Sequence, residues 1–257
     1  MPSLAWISIA PVKGLALAHP GEVSLDPYGV AENRRFYLVD EEGRRYGLLR
    51  DGRLVQVEAE TDAEGSRLSL RFPDGSVVAG EVEPGPPVTT DFYGRPVEGR
   101  LVEGPWAEAL SALAGRTVQL VRAERPGGGV DRARGPVSLV SEASAEQLSA
   151  HAGVPVDPRR FRMLFGIASA RPHEEDEWVG REVGIGDAVV RILDRVARCA
   201  ITTQDPDTGE RDLDTLRLID GYRPRDAAGG ICFGVWGDVV RPGRVRVGDP
   251  VEPRGLL

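Results

Sequence analysis

The stretch of sequence that decides the fold is Arg198–Gly209, which reads RCAITTQDPDTG. Its β-branched residues at 201–203 favour a pleated strand, and the Asp-Pro-Asp-Thr-Gly run after them favours a turn. Cys199 is therefore predicted to lie a few residues before the end of a strand. Arg198 places a permanent positive charge beside this thiol, and a neighbouring cation favours the thiolate, the form that attacks or ligates a metal. The competing interpretation is a buried structural cysteine, because free cysteine is among the most buried residue types.

Length and composition restrict the class of protein before any further motif is considered. The 257 residues suffice for one large or two modest domains, and 28% charged with 41% hydrophobic residues is typical of a soluble globular chain. A net charge of −8 argues against a nucleic-acid partner, which requires a basic face. No apolar run approaches the roughly 20 residues that span a membrane, and the first residues lack the features of a secretory signal. We therefore expect a cytoplasmic protein that binds neither nucleic acid nor membrane.

Two counts of residue types bear on chemistry. The chain has 2 cysteines, Cys199 and Cys232, which are too few for a disulfide framework or a four-thiolate iron–sulfur site. Cys232 has no charged neighbour, and we interpret it as a core residue. Lys13 is the only lysine among 32 basic residues. A compact ammonium on a flexible stem is a common phosphate ligand, so Lys13 is a candidate for binding a phosphorylated group, with chance survival as the alternative.

The pattern of apolar and turn residues predicts many short strands and a few helices. Apolar spacing indicates helices at about 105–113, 141–151 and 212–222. The closely spaced strands and their turn signals are typical of a barrel or sandwich. The triple glycine at 127–129 lacks the Gly-Lys-Ser/Thr of a P-loop and is interpreted as a lid or connector. The acidic run His173–Glu177 has no spaced metal ligands and is typical of a solvated surface.

Taken together, the Arg-Cys, Ile-Thr-Thr and Asp-Pro-Asp-Thr-Gly elements of Arg198–Gly209 closely resemble the signature of MOSC domains, named for the C-terminal domain of molybdenum cofactor sulfurase. Bacterial and mitochondrial amidoxime-reducing proteins are the relatives that it suggests. The strand at Leu4–Ile9 and the Pro-Val-Lys after it resemble the start of the N-terminal domain that accompanies MOSC domains. The resemblance implies a mainly β fold with a few α-helices. A smaller N-terminal β-barrel or sandwich domain, residues 1–102, would precede a β-barrel MOSC domain, residues 103–257.

The same resemblance implies the residues of the site. In the family a cysteine at the position of Cys199 is the protein ligand of molybdenum, which would make it both metal ligand and catalytic residue. The family's lysine after Pro-Val contacts the pterin cofactor, and Gly14 stands here where serine is usual. The residues implied to bind the molybdenum cofactor are Lys13, Gly14, Arg35, Arg162, Arg198 and Trp236. They lie far apart in the sequence, so we expect them to meet where the two domains join.

The function implied is the reduction of N-hydroxylated small molecules, such as amidoximes and hydroxylamines, by a molybdenum-cofactor oxidoreductase. The chain has no cysteine set for an iron–sulfur cluster and no flavin motif, so a separate redox protein would supply the electrons. A second hypothesis is a carrier, in which Cys199 holds sulfur or the cofactor without turnover. Pyridoxal phosphate binding is least favoured, because its Schiff base would require Lys13 and its chemistry belongs to a different domain of the sulfurase.

Overall fold

Short β-strands dominate the regular structure of the computed structural model, which describes residues 2–168 and 171–255. Turns rich in proline and glycine separate runs of β-branched and aromatic residues, which fit the half-buried surface of a sheet. The strands are β1 (Ser3–Ile7), β2 (Glu22–Leu25), β3 (Phe36–Asp40), β4 (Arg45–Tyr46), β5 (Glu58–Thr61), β6 (Arg67–Arg71), β7 (Val77–Glu81), β8 (Glu83–Asp91), β9 (Pro96–Glu103), β10 (Val118–Ala123), β11 (Val137–Ser141), β12 (Phe165–Ala168), β13 (Glu182–Ile185), β14 (Ala188–Ala197), β15 (Cys232–Arg241), β16 (Gly243–Arg246) and β17 (Val251–Pro253). The predicted mainly β fold is confirmed.

The α-helices of the described ranges are α1 (Trp106–Ala114), α2 (Glu142–Ala152) and α3 (Thr215–Asp220). Each lies where apolar spacing predicts a helix, so these predictions are confirmed. α1 follows Pro105 and ends at Gly115, whose φ of +68° suits glycine. α2 is capped by Ser141, whose hydroxyl accepts a hydrogen bond from the N–H of Ser144. None of these helices is long and apolar enough to cross a membrane.

The larger sheet has seven strands in the order β1-β12-β11-β15-β14-β13-β17 and curls into a nearly closed barrel. Its neighbouring strands are antiparallel, except that β11 and β12 are parallel. Aliphatic side chains from all these strands pack together inside the barrel. Burying each one stabilises the fold by about 1.5–3 kcal/mol, compared with leaving it exposed to water. Representative members of this core are Leu4, Leu139, Ile167, Val190, Val235 and Val251.

The N-terminal half contributes a five-stranded sheet, β4-β3-β10-β9-β8, and a three-stranded sheet, β5-β6-β7. A second core joins these sheets to α1. Its members include Phe36, Leu38, Leu54, Leu70, Trp106, Leu110 and Leu120. β2 and β16 form a separate antiparallel pair. This arrangement provides the N-terminal β-barrel that the sequence predicts beside the larger barrel.

The sheets exchange segments of chain across the predicted domain boundary. β1 comes from the N-terminal end, yet it pairs with β12 in the seven-stranded sheet. β10 follows residue 102, yet it pairs with β3 and β9 in the five-stranded sheet. The division into residues 1–102 and 103–257 therefore stays a prediction. Lys13 lies where the chain leaves β1 for the other sheet, with its N–H bonded to the carbonyl of Phe36 at 2.8 Å.

The prediction of a strand at residues 201–203 is wrong. β14 ends at Ala197, and Ala200–Thr203 forms a 3-10 turn with Cys199 as its N-cap. The hydroxyl of Thr202 donates to the carbonyl oxygen of Cys199 at 3.0 Å. Local bonds of this kind offer the backbone an alternative to a sheet, and here they override the β propensity of threonine. Cys199 therefore follows a strand instead of lying inside one.

Candidate functional site

The N-terminal sheets and the seven-stranded sheet enclose a cavity of about 760 Å³. Among the residues that the structure describes, its wall carries eight arginines and one lysine, with Asp91 and Asp131 as the only acids. The whole chain, in contrast, has a net charge of −8. A cationic hollow in an acidic protein indicates an anionic ligand.

Cys199 lies on the cavity wall with an exposed thiol. The N–H of Arg198 donates to the carbonyl of Ile231 at 2.8 Å, which holds the chain just before the thiol. The interpretation as a buried structural cysteine is therefore wrong for Cys199. It is correct for Cys232, which is 2% exposed, as the sequence predicts. Burial, followed by the hydrogen-bonded carboxylate of Asp226, raises the pKa of Cys232 to about 11 and keeps that thiol protonated at neutral pH.

Arg198 is half-buried among neutral groups. Its guanidinium donates to the carbonyl of Phe161 and to the sulfur of Met163, the latter at 3.2 Å, and lies 5.2 Å from the centroid of the Phe161 ring. Burial lowers the pKa of Arg198 to about 10. No carboxylate of the described residues forms an ion pair with Arg198, so its charge can attract an anion in the cavity.

Arg162 adds a second half-buried cation to the wall. Its backbone has a left-handed φ of +49°, and its Nη2 donates to the carbonyl of Leu15 at 2.6 Å. Burial and the nearby charge of Arg34 lower the pKa of Arg162 to about 9. Both causes disfavour the charged form in the absence of a counter-ion. A bound anion would therefore be stabilised here.

Lys13 meets an acidic partner that sequence reasoning missed. Its ammonium and the guanidinium of Arg34 both contact the carboxylate of Asp131. Burial opposes that negative charge, but the charges of Arg34 and Lys13 hold the pKa of Asp131 well below its usual range. Asp131 directly follows the 3-10 turn Gly127–Val130, so the glycine-rich connector brings the carboxylate to these cations. The sequence contains no local signal for this contact, because Asp131 lies 118 positions from Lys13.

Arg35, which was predicted to bind the cofactor, does not line the cavity. Its guanidinium donates to the carbonyls of Ala123 and Glu64, each at 2.9 Å, and the residue is 9% exposed. Arg34, one residue earlier, has a φ of +55° and reaches the cavity instead. Both residues precede β3, and Arg34 lies in a turn with a left-handed backbone, so the alternation of side chains along a strand does not determine which arginine faces the cavity. We therefore assign Arg34, and not Arg35, to the candidate site.

Gly14 and Trp236 contribute to the wall in different ways. Gly14 lines the cavity with a φ of +91°, which a serine would adopt only with strain. Trp236 lies behind the wall, where its indole N–H donates to the carbonyl of Arg195 at 3.2 Å. A Cβ on Gly135 would lie 2.0 Å from the Trp236 ring, and Arg132 stacks on that ring at 5.3 Å. Trp236 thus shapes the cavity through two residues that line it.

The side chains of the cavity wall fit a metal whose other ligands belong to an organic cofactor. Within residues 2–168 and 171–255, no three His, Cys, Asp or Glu side chains cluster so that they could hold an ion. One exposed thiol beside half-buried guanidinium groups suits a soft metal centre attached to an anionic organic group. The molybdenum cofactor implied by the sequence has this character, so the residues present fit it.

Fold and site together define a protein with two β-barrels and a single thiol on a cation-lined cavity. The family model of the MOSC domain matches residues 123–252, and that of the MOSC N-terminal beta barrel domain matches residues 1–103. The chain belongs to the MOSC domain family. The resemblance predicted from Arg198–Gly209 is confirmed.

Two mammalian amidoxime-reducing proteins are similar to nearly the whole chain. Mitochondrial amidoxime-reducing component 1 of Mus musculus is 27% identical over 96% of this chain and 80% of that protein. Its Homo sapiens counterpart is 27% identical over 97% of this chain and 82% of that protein. The crystal structure of the YUAD protein from Bacillus subtilis covers 98% of this chain and 96% of that chain, with 14% identity and a TM-score of 0.45. That structural likeness is too distant to add to the assignment. The chain is thus a MOSC protein, of a family associated with the molybdenum cofactor, with amidoxime-reducing relatives.

Proposed function

We propose that this chain is a molybdenum-cofactor-dependent reductase of N-hydroxylated compounds, such as amidoximes and hydroxylamines. The observation that carries this proposal is the exposed Cys199 on the same cavity wall as Lys13, Arg34, Arg162 and Arg198. The similarity to the mouse and human amidoxime-reducing components supports reduction over other activities.

The chain's own residues would hold the cofactor by one sulfur ligand and by charge. Cys199 would ligate the metal, and Arg198 would place a positive charge beside this ligand. Lys13, Arg34 and Arg162 would bind the phosphate, for which a guanidinium can form a bidentate pair. When bound, the cofactor supplies the two-electron redox chemistry, while the protein supplies ligation and orientation.

The reaction balances with two electrons and two protons: the N–O bond breaks, the nitrogen gains a hydrogen, and the oxygen leaves as water. The chain has 2 cysteines and no flavin-binding motif, so a separate redox protein would deliver the electrons. None of the described residues that line the cavity is a histidine. Solvent entering the cavity is therefore the proposed source of the protons.

The test measures molybdenum by mass spectrometry in protein from a host that makes the cofactor. We expect about one Mo per chain in the wild type, because the site offers a single thiolate, and loss of most of it in Cys199→Ser. Cys232→Ala is the matched control, because that thiol is buried away from the cavity wall. Reduction of benzamidoxime with an artificial electron donor then tests catalysis.

The results separate the alternatives. Protein that holds Mo without turnover, and that carries labile sulfur on Cys199, would be a carrier. Absence of Mo from every preparation would overturn the proposal.

Pyridoxal phosphate binding is the least supported alternative, because the ammonium of Lys13 is paired with Asp131. A visible Schiff-base absorbance that is lost in Lys13→Met would reveal it.

A further inference from the structure

A second group of side chains lines the cavity near the β3–β4 and β8–β9 turns. It consists of Arg44, Arg45, Arg50, Phe92 and Tyr93. The proposed function gives these side chains no role. They differ from the cations around Asp131 because they combine positive charge with aromatic rings.

Arg44 and Arg50 are neutralised within the fold. Asp40, the last residue of β3, accepts from Nε of Arg44 at 3.0 Å and from Nη1 of Arg50 at 2.7 Å. Burial opposes the charge of this carboxylate, but the hydrogen bonds from Arg50 and Arg44 hold the pKa of Asp40 well below its usual range. Both guanidinium groups are therefore occupied by a structural partner.

Arg45 is the exception in this group. No carboxylate of the described residues lies within ion-pair distance of it, in contrast to Arg44 and Arg50. Its guanidinium carbon lies 3.9 Å from the centroid of the Tyr93 ring and 5.4 Å from that of Phe92. A guanidinium stacked on a ring keeps its N–H edge free, and that edge matches a carboxylate in a bidentate pair.

Tyr93 occupies a backbone position that does not favour tyrosine. The turn between β8 and β9 is closed by Phe92 N–H donating to the carbonyl of Arg95 at 2.8 Å, and its central residues, Tyr93 and Gly94, have φ of +60° and +81°. Asn or Gly usually occupies such a left-handed position. The side chain of Tyr93 is nevertheless 68% exposed. Neither turn geometry nor core packing favours a tyrosine here; its ring lies on the cavity wall and contacts the guanidinium of Arg45.

We propose that Arg45 and Tyr93 form a subsite for the part of the substrate remote from the N–O group. The substrates it prefers are N-hydroxylated compounds on an aromatic ring that also bears a carboxylate. The substrate ring would lie against the ring of Tyr93, and the carboxylate would pair with the guanidinium of Arg45. This inference rests on the proposed function for the reaction, but its binding step requires no catalysis.

The binding test uses 4-carboxybenzamidoxime and benzamidoxime, which differ only in the carboxylate. Calorimetry on the full chain, without any reductant, should show about tenfold tighter binding of the carboxylated compound, as expected for one charge-assisted pair. Arg45→Ala should abolish the difference, and Arg44→Ala, which removes the neighbouring neutralised arginine, should preserve it. Equal affinities in the wild type would overturn the inference. The inference would also be overturned if Arg45→Ala still bound the carboxylated compound more tightly. That result would mean that the carboxylate pairs with the cations near Lys13.

Tyr93→Asn separates a binding role from a structural one. Asparagine suits the left-handed turn, so this variant should be at least as resistant to urea as the wild type. It should bind both aromatic amidoximes about threefold to tenfold more weakly, because the stacking partner is lost, and leave acetamidoxime unaffected. Unchanged affinity for the aromatic compounds would contradict the assignment of Tyr93.

Turnover with an artificial electron donor distinguishes this inference from the proposed function. Arg45→Ala should raise KM for 4-carboxybenzamidoxime about tenfold with kcat unchanged, because it removes binding common to ground state and transition state. If neither compound is reduced while the binding difference persists, the proposed function fails and the subsite stands. If both are reduced with the same KM in the wild type and in Arg45→Ala, the subsite fails and the function stands.

Discussion

Asp131 is the residue whose charge most directly opposes the binding of an anionic cofactor. Its carboxylate contacts Lys13 and Arg34, two of the cations proposed to bind phosphate. An incoming anion must either displace this carboxylate or sit beside a like charge. The affinity of the site for phosphate therefore reflects a competition with a group of the chain itself.

Asp131→Asn should strengthen the binding of inorganic pyrophosphate to the cofactor-free chain by about tenfold, because the cations lose their internal counter-ion. Calorimetry at low salt measures the effect, and added salt should reduce it through screening. Asp220→Asn is the control with the same charge change, since its ion pair with Arg225 lies outside the cavity wall. Unchanged or weaker binding in Asp131→Asn would mean that this carboxylate mainly holds Lys13 and Arg34 in place.

Single residues were predictable where a motif names them. The structure brings Cys199, Lys13, Arg162 and Arg198 to one cavity wall, and each was marked by the sequence around it. Arg34 was missed because it lies in a turn with a left-handed backbone, and the sequence does not show which of two adjacent arginines in such a turn faces the cavity. Asp131 was missed because its bond to Lys13 spans 118 positions, and no local pattern records a contact of that length.

Among the elements, the 3-10 turn Glu174–Trp178 shows how an acidic run enters the core. The prediction of a solvated surface is wrong at Glu175, which is 0% exposed. The carboxylate of Glu175 accepts from the hydroxyl of Ser144 at 2.9 Å and from the N–H of Ser141 at 3.2 Å, at the N-terminus of α2. Burial raises the pKa of Glu175, and the hydrogen bonds at the helix N-terminus oppose this shift. Composition alone cannot tell which of several acids packs there. Helices were predictable from apolar spacing, whereas this packing of one element on another was not.

His173, which precedes that turn, makes stability depend on pH. Burial, and then the charge of Arg223, lowers the pKa of His173 to about 4, against about 6.5 for a free histidine. The unfolded chain therefore takes up this proton first as the pH falls. The contribution of the neutral ring to stability is complete above about pH 6.5 and is lost as the pH falls towards about 4.

His173→Gln should lessen the loss of unfolding free energy between about pH 7 and pH 5 by on the order of 1 kcal/mol, allowing for solvent screening of a half-buried group. Urea denaturation at both pH values measures this quantity. His19→Gln is the control, because His19 is exposed and lies outside this turn. The same pH dependence in His173→Gln and in the wild type would contradict the assignment.

In the whole molecule, the cavity depends on the contact between the N-terminal half and the turn that follows the thiol. Gly209 and Gly52 meet backbone to backbone, and a Cβ on Gly209 would lie 2.0 Å from the carbonyl oxygen of Gly52. Beside them, the amide of Gln204 donates to the carbonyl of Leu48 at 2.7 Å. The turn after Cys199 therefore also sets the spacing of the two walls. The sequence predicted a site where two domains join, but the exchange of β1 and β10 between sheets has no local signal.

Gly209→Ala should lower stability and molybdenum content together. Gly75→Ala is the matched control, because Gly209 and Gly75 have φ of +76° and +84° but a Cβ on Gly75 would meet no atom within 4 Å. Both substitutions strain a left-handed backbone by about 1–2 kcal/mol. Only Gly209→Ala also forces two backbones apart, so it should lose about 2 kcal/mol more of unfolding free energy, measured by urea denaturation, and most of its bound Mo. If Gly209→Ala matched Gly75→Ala in stability and retained its Mo, a contact other than Gly52–Gly209 would have to hold the cavity walls together.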